Sequence, residues 1–156
     1  MRYNNWVIIS PDNPANLEAL KMYPDSHTRG EIMKAFASGQ GLDYEFTVTG
    51  YYNGHKERAF VFSVHPILGS VPSQEGKSTQ DIVRELAGHF GQESAIIGTP
   101  RPGPDLLFSL VFPDNPDGTK WATDWTWLED GDEFPDCYTS IGHGEYFTID
   151  FDADNS

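Results

Sequence analysis

The sequence predicts an α+β fold, a mainly antiparallel sheet with two helices on one of its faces. Three observations predict it. Apolar residues change period along the chain, alternating in some segments and recurring every three or four residues in two others. Asn53-Gly54 separates two alternating runs, the strongest short-range signal for a hairpin. The resulting order is strand, helix, strand, strand, helix, strand, followed by additional strands.

Each element has its own signal. Trp6-Val-Ile-Ile9 is a short apolar run that reads as a buried first strand, ended by Pro11, Asn13 and Pro14. Thr28-x-x-Glu31 forms a capping box for a helix with Ile32, Met33, Phe36 and Ala37 on its apolar face. Gly39 and Gly41 stop that helix. From Leu42 to Tyr52, Phe46 and Val48 alternate against Glu45, Thr47 and Thr49, and the return strand runs through Ala59–Val64. After a loop over 66–76, Ser78-x-x-Asp81 caps a second helix. Its face is Ile82, Val83, Leu86, Ala87 and Phe90, and Gly91 stands at its C-terminus. Ser94–Ile97 and Leu106–Phe112 read as strands, and Gly144–Asp150 as the last one. Residues 113–140 read as an irregular, Trp-rich segment of loops with a strand or short helix. The order is that of the ferredoxin-like split β-α-β pattern, a two-layer α/β sandwich whose open sheet face favours an oligomer.

The chain, residues 1–156, is expected to form a single domain. With 38% hydrophobic and 13% aromatic residues it is too apolar to be disordered. It has no apolar run of membrane-spanning length, its first residues carry no secretory pattern, and Cys137 is its only cysteine. Together these predict a cytoplasmic protein. The net charge is −14, and it is unevenly spread: residues 1–104 hold 11 acids and 9 bases, residues 105–156 hold 13 acids and only Lys120. Such a field repels nucleic acid. It suits a cationic ligand, a protein deceived by a DNA mimic, or simple solubility.

The hairpin is the best candidate for chemistry. If Asn53-Gly54 is a two-residue turn, Tyr52 pairs with His55, Tyr51 with Lys56 and Gly50 with Glu57. Gly50, Tyr52, His55 and Glu57 then share one face. A phenol and a carboxylate beside the vacancy left by Gly50 make a pocket for a cation. The alternative is an ordinary exposed hairpin with Glu57 paired to Lys56 or Arg58.

Four stretches, in order, carry a resemblance. They are the opening strand and helix, Gly50-Tyr51-Tyr52 with Glu57-Arg58, Phe90-Gly91-Gln92-Glu93 before Ala95-Ile96-Ile97, and Gly144-Glu145-Tyr146-Phe147-Thr148-Ile149-Asp150. Through them the chain resembles the S-adenosylmethionine lyases of coliphages, formerly called hydrolases, which act against host restriction. The loop between Tyr52 and Glu57 is shorter here than in that family. A second resemblance, to an uncharacterised bacterial family with a similar Gly-x-Tyr hairpin and Phe-Gly-Gln-Glu segment, implies no function. The lyase resemblance implies a PII-like fold, a homotrimer with the site between subunits, and no cofactor or metal. It implies that Tyr52 and Glu57 act on S-adenosylmethionine, with Gly50 and Gln92 binding it, to give homoserine lactone and 5′-methylthioadenosine.

Other candidates are weaker. His27, His55, His65, His89 and His143 lack metal-ligand spacing, and Cys137 has no base at a recognisable distance in sequence. Gly98–Pro104 lacks the lysine of a phosphate loop. The acids between Asp124 and Asp136 do not follow EF-hand spacing. Trp121, Trp125 and Trp127 read as core or subunit interface rather than a ligand cage. The rival to an enzyme is an acidic DNA mimic that blocks a restriction system by charge alone.

Overall fold

The computed structural model describes residues 5–12, 21, 24–52, 54–64, 79–100, 106–122, 125–129, 131–142, 144–149 and 151. Among the described residues lie nine strands and two helices of several turns: β1 (Trp6–Ile9), α1 (Ser26–Gly39), β2 (Leu42–Tyr52), β3 (His55–Val64), α2 (Thr79–His89), β4 (Ala95–Pro100), β5 (Leu106–Val111), β6 (Lys120–Ala122), β7 (Trp125–Leu128), β8 (Cys137–Gly142) and β9 (Glu145–Ile149). All nine join one sheet in the order β6-β5-β4-β1-β3-β2-β8-β9-β7. Every neighbouring pair is antiparallel.

The expected ferredoxin-like, PII-like two-helix sandwich is not the fold. Residues 113–140, read as loops with a strand or short helix, supply β6, β7 and most of β8, and with them the sheet extends beyond both of its inner edges. A twisted antiparallel sheet this wide curls rather than staying flat. Register shifts between Tyr44 and Phe46 and between Ser140 and Gly142 add to the bend. The result is a nearly closed, barrel-like sheet, with β7 facing β4 and β5 across one cavity.

Both helices lie on the convex face. Val7, Ile9, Leu42, Phe60, Phe62 and Ile97 point from the strands into a core completed by Met33 and Ala37 of α1 and by Ile82, Val83, Leu86 and Ala87 of α2. Each large apolar side chain buried there contributes about 1.5–3 kcal/mol. The cap of α1 differs from the expected one: Asp25, not Thr28, is the N-cap, and its carboxylate accepts from Thr28 N at 2.8 Å and Thr28 Oγ1 at 2.9 Å. The predicted Ser78 cap lies outside the described residues. Gly30 lets α1 settle on β3, because a Cβ there would stand 3.0 Å from the Phe60 ring and 2.9 Å from Arg58 Nη2. Among the described residues no helix is long and apolar enough to cross a membrane.

Beneath α1, Asp12 joins three parts of the chain. Its carboxylate accepts from Arg29 Nη2 at 2.8 Å and from Arg58 Nε at 2.7 Å, and from Ser26 Oγ at 2.9 Å. Arg29 is buried and also donates to the carbonyls of Pro11 and Pro24. Arg58 donates further to the Ser26 carbonyl. Burial pushes the Asp12 carboxyl up, but the hydrogen bonds from Arg58, Arg29 and Ser26 outweigh it and hold the group below its ordinary value of 3.8. A carboxylate with a depressed folded-state pKa stabilises the fold above its unfolded value, and that contribution disappears as pH falls through the folded value. Asp12→Asn is expected to lower stability by about 3 kcal/mol at pH 7, since it removes the carboxylate charge that Arg29 and Arg58 share. Denaturant melts of both proteins from pH 7 down to pH 2 should show the gap narrowing below about pH 4.

Candidate functional site

The hairpin has the register expected of a two-residue turn: Gly50 pairs with Glu57, Tyr51 with Lys56 and Tyr52 with His55. Which face this presents is decided by the irregularity in β2. Leu42 pairs with Val64 and Tyr44 with Phe62, on the helix side, whereas Phe46 pairs with Val61 and Val48 with Ala59, on the other. One extra residue, Glu45, inverts the strand, and Ser63 Oγ donates to its Oε1 at 2.6 Å. Positions 50, 52, 55 and 57 consequently belong to the concave face, away from both helices.

That face encloses an apolar cavity of about 450 Å³. One wall is Trp6 and Ile8 of β1, Phe46 and Val48 of β2, and Val61 of β3. From that wall the lining continues on one side through Gly98 of β4 to Phe108 of β5, and on the other through Ile141 of β8 and Phe147 of β9 to Trp125 and Trp127 of β7. Gly98 matters there because a Cβ would meet the Phe108 ring at 3.4 Å. Every lining residue is apolar or glycine. The hairpin residues adjoin this trough, since Gly50 and Glu57 lie two positions beyond Val48 and Ala59 along their strands.

Register links the two regions. Trp127 pairs with Phe147, Phe147 with Thr139, Thr139 with Gly50, and Gly50 with Glu57. These five residues, one from each of five adjacent strands, form a single row on the concave face. At about 4.8 Å per strand the row runs roughly 19 Å along the sheet. Aromatic rings stand at one end and a carboxylate at the other, with the small residues Thr139 and Gly50 between them.

Of the site residues expected from sequence, Gly50 and Glu57 are brought together, and Tyr52 occupies the adjoining position opposite His55 and Cys137. Gln92 is elsewhere. It follows Gly91, whose φ of 67° terminates α2, and its backbone N–H closes the helix end on Ala87 O at 2.8 Å. Its buried amide donates to the Asp12 carbonyl at 3.0 Å, on the helix side of the sheet. Glu57 and Gln92 of one chain thus lie on opposite faces.

Of the two places expected for the tryptophans, core or subunit interface, the core is not where they lie. Trp125 and Trp127 are 36% and 51% exposed and line the trough rather than a core. Trp121 pairs with Ser109, next to the trough-lining Phe108, and so faces the other side. Had Trp125-Thr-Trp-Leu128 been read as a strand, its two tryptophans would have fallen on one face. His89 is exposed and stacks on Phe36 at 4.6 Å. Among the described residues no group of three or more His, Cys, Asp or Glu could hold a metal ion.

Compared with models of known protein families and with curated proteins, the sequence matches none. Gln92→Met should lower stability by about 1 kcal/mol through loss of the bond to Asp12. Chemical denaturation of that variant would measure the loss.

Proposed function

We propose that this protein is an S-adenosylmethionine lyase whose site lies on the concave face, at the hairpin end of the trough. The row that places Glu57 and Gly50 beside a wholly apolar cavity is the observation that carries the reading. Glu57 takes the substrate's α-ammonium. Gly50 and Thr139 leave room for the backbone of the methionine moiety, and Tyr52 steadies the sulfonium. The S-methyl group faces the apolar trough.

The reaction needs little from the protein. A carboxylate oxygen of the substrate attacks its own γ-carbon, the C–S bond breaks, and sulfur leaves with the electron pair. A neutral thioether and a lactone result, and no proton is transferred. The anion and the sulfonium cancel each other as the ring closes, so surroundings that exclude water favour the transition state over the separated charges. Holding the folded conformer supplies the rest. Gln92, already bonded to Asp12, serves the frame rather than the ligand.

The reading carries a homotrimer with it, acting in the cytoplasm of a phage-infected cell and depleting the methyl donor on which host restriction and modification depend. S-adenosylmethionine incubated with the protein should yield homoserine lactone and 5′-methylthioadenosine by chromatography. Glu57→Gln and Tyr52→Leu should each slow this by about tenfold or more, roughly 1.4 kcal/mol of barrier. Unchanged substrate at high protein concentration would remove the lyase and leave the acidic mimic as the reading to pursue.

A further inference from the structure

Three rings at the β7–β9 end of the trough meet nearly at right angles. Trp125 and Trp127 are 5.0 Å apart at 70°, Trp127 and Phe147 6.1 Å at 74°, and Trp125 and Phe147 6.5 Å at 89°. A flat heterocycle is best held between parallel faces, which this corner does not offer. A tetrahedral head group can lie against perpendicular walls. Carboxylates stand close by: Glu145 precedes Phe147 by two residues on the same face, and Glu129 follows β7 just beyond Trp127. Both are exposed and belong to the acidic last third of the chain.

We infer that this corner of the trough binds methylated onium groups, quaternary ammonium or sulfonium, whose remaining apolar portion occupies the cavity. Such a cation is large, weakly hydrated and apolar on its surface, so it enters an apolar cavity without losing hydrogen bonds. A primary ammonium or a guanidinium would need acceptors that the lining does not have. A neutral apolar group fits the space but gains nothing from the negative faces of the rings or from the flanking carboxylates. The inference stands independently of the lyase reading, because an onium ion that cannot be cleaved should bind equally well.

The experiment is calorimetric titration of the full chain, at physiological salt, with three ligands. They are choline, its neutral isostere 3,3-dimethylbutan-1-ol, and ethanolamine. Choline is expected to bind about fivefold or more tightly than either of the others. Trp127→Leu should abolish that preference with the fold retained by circular dichroism, and Trp127→Phe should keep part of it. Trp121→Phe, on the opposite face, should leave it unchanged. Equal binding of choline and the neutral isostere would overturn the inference by reducing the corner to a hydrophobic groove. Equal binding of choline and ethanolamine would overturn it by leaving net charge as the cause. Absence of saturable binding, with sedimentation showing copies joined and the tryptophans shielded from a soluble quencher, would assign the face to self-association instead. Choline has no scissile sulfonium, so this result and the cleavage of S-adenosylmethionine can succeed or fail separately.

Discussion

Asp12 holds the convex side of the molecule together. Its carboxylate receives Arg29 from α1 and Arg58 from β3, and its backbone carbonyl receives Gln92 from the turn after α2. Three segments that are distant in sequence therefore converge on one residue of the loop that follows β1. The arrangement is economical because both guanidiniums meet a single carboxylate, and the buried one has two backbone carbonyls besides. With α1 and α2 fixed in this way, Phe60, Phe62 and their neighbours are sealed, and the opposite face of the same strands is left open. The division of labour between the two faces starts here: one is committed to packing and ion pairing, the other to whatever enters the trough.

Much of the chain was legible because local signals agreed with the fold. The hairpin could be placed to the residue, since Asn-Gly dictates a two-residue turn and the turn dictates the register of Gly50 and Glu57. The apolar face of α2 was equally plain, with Ile82, Val83, Leu86 and Ala87 at helical spacing and Gly91 at the end. Less was visible between 113 and 140. β6 and β7 have three and four residues, too few for a period to register, and β8 holds as many polar as apolar positions. Without them the sheet could not be seen to curl, and the fold class was misjudged. The trough went unseen for the same reason, as Trp125, Trp127 and Ile141 of its lining come from these strands. Gln92, singled out through a short motif, stands after a left-handed glycine at the end of α2 and bonds the Asp12 carbonyl there.

The concave face combines features that are rarely neighbours. Exposed aromatic rings in an apolar cavity favour a large, weakly hydrated guest, while the charge of the surrounding chain favours a positive one. An apolar cation satisfies both demands. The sulfonium of the proposed substrate is a group of that kind, although the molecule around it is polar. Carboxylates at the surface would draw such a ligand in from solution, and the apolar lining would then determine what stays.

The extra residue in β2 has a consequence for how this chain can change over generations. Glu45 is where one strand exchanges its two surfaces, so everything from Phe46 to the hairpin owes its orientation to the number of residues before it rather than to their identity. Substitutions along this stretch alter one contact at a time. Loss or gain of a single codon there would turn Val48 and Gly50 toward the helices and bring Thr47 and Thr49 into the trough. Related genes should accordingly differ freely in spelling through this strand while keeping its length, and should confine their insertions to the connecting loops.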